Sequence, residues 1–93
     1  MSEACERSVL VTNRAGLHAR PAAEFVKRAG RFEAEIELVR SGLSVNGKSI
    51  MGVLMLAAEE GSEILIRASG LDAADALEAL VRFVELGFEE DGP

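Results

Sequence analysis

His18 is the only histidine in this 93-residue chain, and it stands where a loop gives way to a helix, in Gly16-Leu17-His18-Ala19-Arg20-Pro21. A helix start presents backbone N–H groups that have no partner within the helix, together with about half a positive charge, and so receives anions. A neutral imidazole at such a start carries a nitrogen lone pair and can act as a nucleophile. If it attacks a phosphoryl group, the product's oxygens come within reach of the first-turn amides of Ala19 and Arg20. The Arg20 guanidinium can add a charge-assisted contact of about 1.5–3 kcal/mol. Gly16 permits the tight, left-handed backbone that brings the loop close.

The plainer reading is that His18 is a helix N-cap or a surface residue. Other chemistries find less support. A metal site has no ligand set, because no carboxylate lies within four residues of the one histidine. A hydrolase triad has no visible partners, and no Walker-type glycine pattern announces a nucleotide. A nucleophile and an anion cradle without machinery for turnover describe a carrier rather than a classical enzyme, with no cofactor implied.

The elements that must position these residues can be read from periodicity. Residues 6–12 are rich in β-branched side chains and predict a strand. After the loop Asn13–Gly16, the spacing of Ala22, Phe25, Val26 and Ala29 marks one helix face, with Pro21 in the first turn and Gly30 as the stop. Residues 33–39 alternate, with Ala34, Ile36 and Leu38 against Glu33, Glu35 and Glu37, which is a strand with one wet face. Ser41-Gly42 and Asn46-Gly47 turn the chain on either side of a short strand at 43–45. Ile50, Val53, Leu54 and Ala57 share the face of a short helix interrupted by Gly52. Residues 63–68 alternate again, with Ile64, Ile66 and Ala68 inward. Ala73, Ala76, Leu77, Leu80, Val81 and Val84 form the stripe of the last helix, with Asp72 as N-cap and Gly87 as stop. The expected fold is α+β: a β-α-β-β-α-β-α open-faced sandwich, one four-stranded antiparallel sheet with three helices on one face.

Composition narrows the function further. The length implies one domain over residues 1–93, with an acidic tail at about 89–93. A single Cys5 allows neither an internal disulfide nor a four-ligand zinc site. The acidic N-terminus has no apolar run, so no signal peptide is expected, and no stretch approaches a bilayer span. A soluble, cytoplasmic monomer without membrane insertion is the expectation. The net charge of −6 argues against nucleic acid. Yet residues 13–31 hold Arg14, Arg20, Lys27, Arg28 and Arg31 against the single acid Glu24, a local positive zone suited to an anion or an acidic partner. Lys27 and Arg28 are equally accounted for by the dipole at a helix C-terminus; Arg20 is not.

On these residues the chain resembles the HPr family, the histidine-containing phosphocarriers of the bacterial phosphotransferase system. Gly16-Leu17-His18-Ala19-Arg20-Pro21-Ala22 is similar to the family's phosphohistidine loop. Asn46-Gly47-Lys48-Ser49-Ile50-Met51-Gly52 is similar to its second signature, around a regulatory serine. The separation of 31 residues between His18 and Ser49 agrees, and the likeness spans residues 7–88. The resemblance implies that His18 accepts a phosphoryl group at Nδ1 from enzyme I, itself charged by phosphoenolpyruvate, and passes it to a IIA-type protein, with Arg20 stabilising the phosphate. It implies partner docking through Ile50, Met51 and Met55. Soft methionine surfaces suit successive partners, although core filling is the ordinary use of Met55.

Ser49 would begin the second helix, where a hydroxyl caps free amides. In Gram-positive relatives a dedicated HPr serine kinase/phosphorylase modifies the matching serine, and a phosphate there would set negative charge in the docking surface. Ala15 stands where many sugar-type members carry Ser or Asn. Thr12–Gly16 and Gly87–Asp91 look more like the nitrogen-related branch, NPr, which feeds a regulatory phosphorelay. Two other functions fit the residues: a regulatory adaptor working through Ser49 and the Met51 patch with His18 idle, and a small-molecule anion-binding domain.

Overall fold

The two alternating stretches pair directly. In a computed structural model, which describes residues 4–89, they become β2 (Glu35–Arg40) and β4 (Glu63–Ser69), which lie antiparallel with Leu38 opposite Ile66 and Ile36 opposite Ala68. That register stacks the buried residues on one face and leaves Glu35, Glu37 and Arg67 on the other. β1 (Ala4–Leu10) flanks β4, and β3 (Leu43–Asn46) flanks β2, giving the antiparallel order β1-β4-β2-β3. The first strand lies two residues earlier than its composition predicts. Val11 still bonds to Ser62 and Gly61, but outside the regular ladder. Ser41 and Gly42 both take positive φ, as a two-residue hairpin turn requires.

Three helices cover the inward face: α1 (Ala19–Ala29), α2 (Ile50–Met55) and α3 (Ala73–Glu85). Phe25 of α1, Val53 of α2, and Leu80, Val81 and Val84 of α3 join Ile36, Leu38, Ile64 and Ile66 in one core cluster. The order is β-α-β-β-α-β-α with a short 3₁₀ turn, Gly87–Glu89, at its end. The α+β sandwich expected from periodicity is therefore the fold observed.

Several local expectations need correction. Ala57 does not extend the buried face of α2. The helix ends at Met55, and Ala57 is exposed with φ +49°. The Arg40 guanidinium donates to the Leu56 carbonyl at 3.0 Å, satisfying an end that has no basic residue of its own. Asp72 occupies the N-cap position of α3 but makes no side-chain bond to that helix. Its carboxylate instead accepts the amides of Glu33 and Ala34 at 2.9 and 2.8 Å, tying the start of α3 to the approach to β2. These bonds hold its carboxyl below the ordinary carboxylate value, the Glu33 amide foremost. Gly30 does end α1, as its C-cap, with an ordinary helical φ of −66°, and Gly87 follows α3 with φ +67°. Of the acidic tail, Glu89 pairs with Arg28 at 3.0 Å, and the rest lies outside the described residues. Arg28 also lies over the Phe83 ring at 4.1 Å, and Phe83 meets Phe88 edge-on.

Candidate functional site

The site is built where β1 hands over to α1. After Val11 the chain must turn toward the helix layer, and Asn13 to Gly16 does so: the Gly16 N–H donates to the Asn13 carbonyl at 3.2 Å. Gly16 takes φ +70°, which glycine adopts without the steric cost that a side chain brings. A Cβ there would lie 2.5 Å from the Ala58 carbonyl oxygen, so the close approach of two backbones demands glycine a second time. The following residue, buried Leu17, donates its N–H to that same Ala58 oxygen at 2.8 Å.

His18 comes next, at the N-cap of α1, in extended conformation (φ −90°, ψ −170°). Its carbonyl accepts from Ala22 at 2.9 Å and opens the helix, while its side chain makes no capping bond. Pro21 is the third helical residue and has no N–H, so the first turn offers only the amides of Ala19 and Arg20 to an outside acceptor. His18, Ala19 and Arg20 are all exposed, whereas Pro21 and Ala22 are buried and anchor the turn. His18, Ala19 and Arg20 thus lie together at one exposed helix start. Nothing acidic lies in that first turn to oppose an anion.

The second motif lies close by. Ser49 is the N-cap of α2, and its hydroxyl accepts from the Gly52 amide at 3.2 Å. Asn46 prepares that cap, its side-chain oxygen accepting the Lys48 amide at 2.8 Å. α1 and α2 pack together, and the segment leaving α2 supplies the Ala58 carbonyl that holds Leu17. Ile50, Met51 and Met55 are 41%, 67% and 63% exposed, so Met55 is not a core residue. Among the described residues, no group of three or more His, Cys, Asp and Glu side chains could hold a metal ion. Nor is any helix long and apolar enough to cross a membrane.

Two arrangements of polar side chains escape sequence reasoning, one of them at the site. Asn13 reads as a loop residue by composition, yet its side chain is fully buried and donates to the Gly16 carbonyl at 2.8 Å. An Asn three residues before a glycine is a turn signal that could have marked it. Arg67 forms the second group, on the open sheet face, bonding Glu6 at 2.9 Å and Glu37 at 2.7 Å. The Ser44 hydroxyl and then Arg67 lower the Glu37 carboxyl from its ordinary value. This group lies on the opposite side of the sheet from the helices and takes no part in the site.

The family model described as PTS HPr component phosphorylation site matches residues 5–85. The phosphocarrier protein HPr of Treponema pallidum is 49% identical over 85 residues, covering 91% of this chain and 97% of the relative. The HPr-like protein Crh of Halalkalibacterium halodurans is 48% identical over 80 residues, covering 86% of this chain and 95% of the relative. Among solved structures, a phosphocarrier protein HPr from Bacillus anthracis superposes with a TM-score of 0.84 at 48% identity, covering 87% of this chain and 96% of its own.

Proposed function

Because the chain belongs to the HPr family of the phosphotransferase system, we propose that His18 is its phosphoryl acceptor and that the chain relays the group from phospho-enzyme I to a IIA-type protein. The observation that carries this reading is that His18, the N-cap of α1, and the following Ala19 and Arg20 are all exposed, with nothing acidic in the first turn. In the forward step the Nδ1 lone pair attacks phosphorus and an N–P bond forms. The donor's bond to phosphorus breaks, and its electron pair stays with the donor. Nε2 keeps its proton. The second step has the same form, with His18 now the leaving group. Phosphoryl transfer asks little of the protein beyond placement and charge stabilisation. The two amides and Arg20 provide the latter at the oxygens of the phosphohistidine.

Ile50, Met51 and Met55 form the docking patch in this account. Side chains that adapt to more than one partner surface suit a carrier that must meet a donor and an acceptor in turn. In this account the carrier acts as a monomer, in the cytoplasm where phosphoenolpyruvate is available. Labelled phosphoenolpyruvate, enzyme I and a IIA-type protein test the relay. Label should reach the IIA-type protein only when this chain is present with His18 intact; label that reaches it without His18 contradicts the relay. Charging by a sugar-type against a nitrogen-type enzyme I assigns the branch.

The 48% identity to an HPr-like protein Crh favours one second reading, a regulatory adaptor controlled at Ser49 by an HPr serine kinase/phosphorylase. A phosphate on that helix cap would add charge beside Ile50 and Met51 without opposing the helix dipole. Partner binding that survives His18→Ala and responds to Ser49 modification would support the adaptor.

A further inference from the structure

Among the described residues, Asn13 is the one polar residue in the buried set, at 0% exposure. Burying an amide costs free energy unless hydrogen bonds replace those to water. A leucine of similar size would avoid that cost between Val11 and Leu17, both buried and apolar. The amide therefore has to be explained by what it holds. Its Nδ2 donates to the Gly16 carbonyl at 2.8 Å. The His18 N–H donates to the same oxygen at 3.0 Å. One carbonyl thus takes two bonds, one from a buried side chain and one from the backbone of the residue that carries the chemistry. The peptide bearing that carbonyl is clamped from the far side as well, by the Leu17 bond to Ala58 and by the φ of +70° at Gly16.

The geometry points to Asn13 as a positioning residue for phosphoryl transfer. By holding the Gly16 carbonyl it sets the direction of the His18 backbone at the helix start, and so where the ring stands relative to the Ala19 and Arg20 amides. Asn13 acts through its bond to the Gly16 carbonyl. The assignment rests on the reading of His18 as acceptor. Its effect should fall on the chemical step and leave docking alone, since the patch of Ile50, Met51 and Met55 belongs to a different helix.

Two variants test it, each checked as folded by circular dichroism at the assay temperature and then charged by phospho-enzyme I. Asn13→Leu fills the space and removes the donor. It should lower kcat for phosphoryl acceptance ~10- to 100-fold, the range that misplacement by about an ångström produces. KM for phospho-enzyme I should stay within about twofold. Asn13→Asp keeps the shape. As a carboxylate it cannot donate to Gly16, but once protonated it can. Its kcat relative to wild type should be low at neutral pH and recover as pH falls, a pH-linked rescue that simple space filling does not predict.

An Asn13→Leu chain with unchanged kcat, or with a raised KM alone, overturns the assignment. If Asn13→Leu does not fold, Asn13→Asp decides: a relative kcat independent of pH overturns it. If the wild-type chain itself takes no phosphoryl group, the acceptor reading fails first and this assignment falls with it. That outcome is distinct from a charged wild type with indifferent variants.

Discussion

The Ala58 carbonyl accepts the Leu17 amide at 2.8 Å and lies where a Cβ on Gly16 would have to go, 2.5 Å away. This one backbone oxygen joins the segment leaving α2 to the loop that presents His18. α1 and α2 pack together as well, and the junction at Gly16 has no room for a side chain.

Gly16→Ala should accordingly be costly. The left-handed φ alone costs a side chain about 1–2 kcal/mol, and the clash with Ala58 and Glu59 backbone adds to it. Gly42 is the control, with φ +82° and nothing within 4 Å of a built Cβ. Urea unfolding should show Gly16→Ala losing clearly more stability than Gly42→Ala. Equal losses would mean that the loop yields at Ala58 and that the junction is softer than its geometry implies.

Asp72 gives a pH signature. Its folded carboxyl lies below the ordinary value of 3.8 because it accepts the Glu33 and Ala34 amides. A depressed folded value means that the stabilisation is complete above the unfolded value and is lost as pH falls through the folded one. Asp72→Asn keeps one acceptor oxygen for two amides, so it should melt at a lower temperature than wild type at neutral pH. The two melting curves should converge in acid, below the ordinary carboxylate range. A gap that persists unchanged in acid would contradict the assignment.

Ser49 separates a capping role from a regulatory one. Ser49→Ala removes the acceptor for the Gly52 amide and should cost about 0.5–2 kcal/mol, measured by chemical unfolding. Ser49→Asp retains an acceptor and suits the helix dipole, so its stability should stay near that of wild type. If charge at this position opposes docking, Ser49→Asp should raise KM for phospho-enzyme I while Ser49→Ala leaves it near wild type. Equal KM values for both variants would leave Ser49 as a cap only.

Much of this architecture is legible in the chain because local pattern and tertiary environment agree. The alternation at 33–39 and 63–68 survives as β2 and β4 because each has one buried face, and the α3 stripe survives because all six of its predicted residues are buried. Ser49 and the helix it begins are legible for a related reason: capping chemistry is local, and its hydroxyl accepts from the Gly52 amide. What was not legible depends on partners distant in sequence. Asp72 looks like the cap of its own helix until the amides of Glu33 and Ala34, 39 and 38 residues away, compete for it. Ala57 fits the apolar face of α2 until the helix ends at Met55, with Arg40 on the Leu56 carbonyl. Core filling is the ordinary use of a methionine such as Met55, yet it is exposed. Asn13 is polar and lies in a loop, and only the folded chain shows that it is buried.

The most direct measurement is intact mass after incubation with phosphoenolpyruvate, Mg²⁺ and enzyme I, for the wild-type chain and His18→Ala in parallel. The account predicts one added phosphoryl group on the wild type, labile in acid and stable in base as an N–P bond should be, and none on His18→Ala. A wild-type chain that takes no phosphoryl group from either a sugar-type or a nitrogen-type enzyme I, or a His18→Ala chain that takes one, would contradict it.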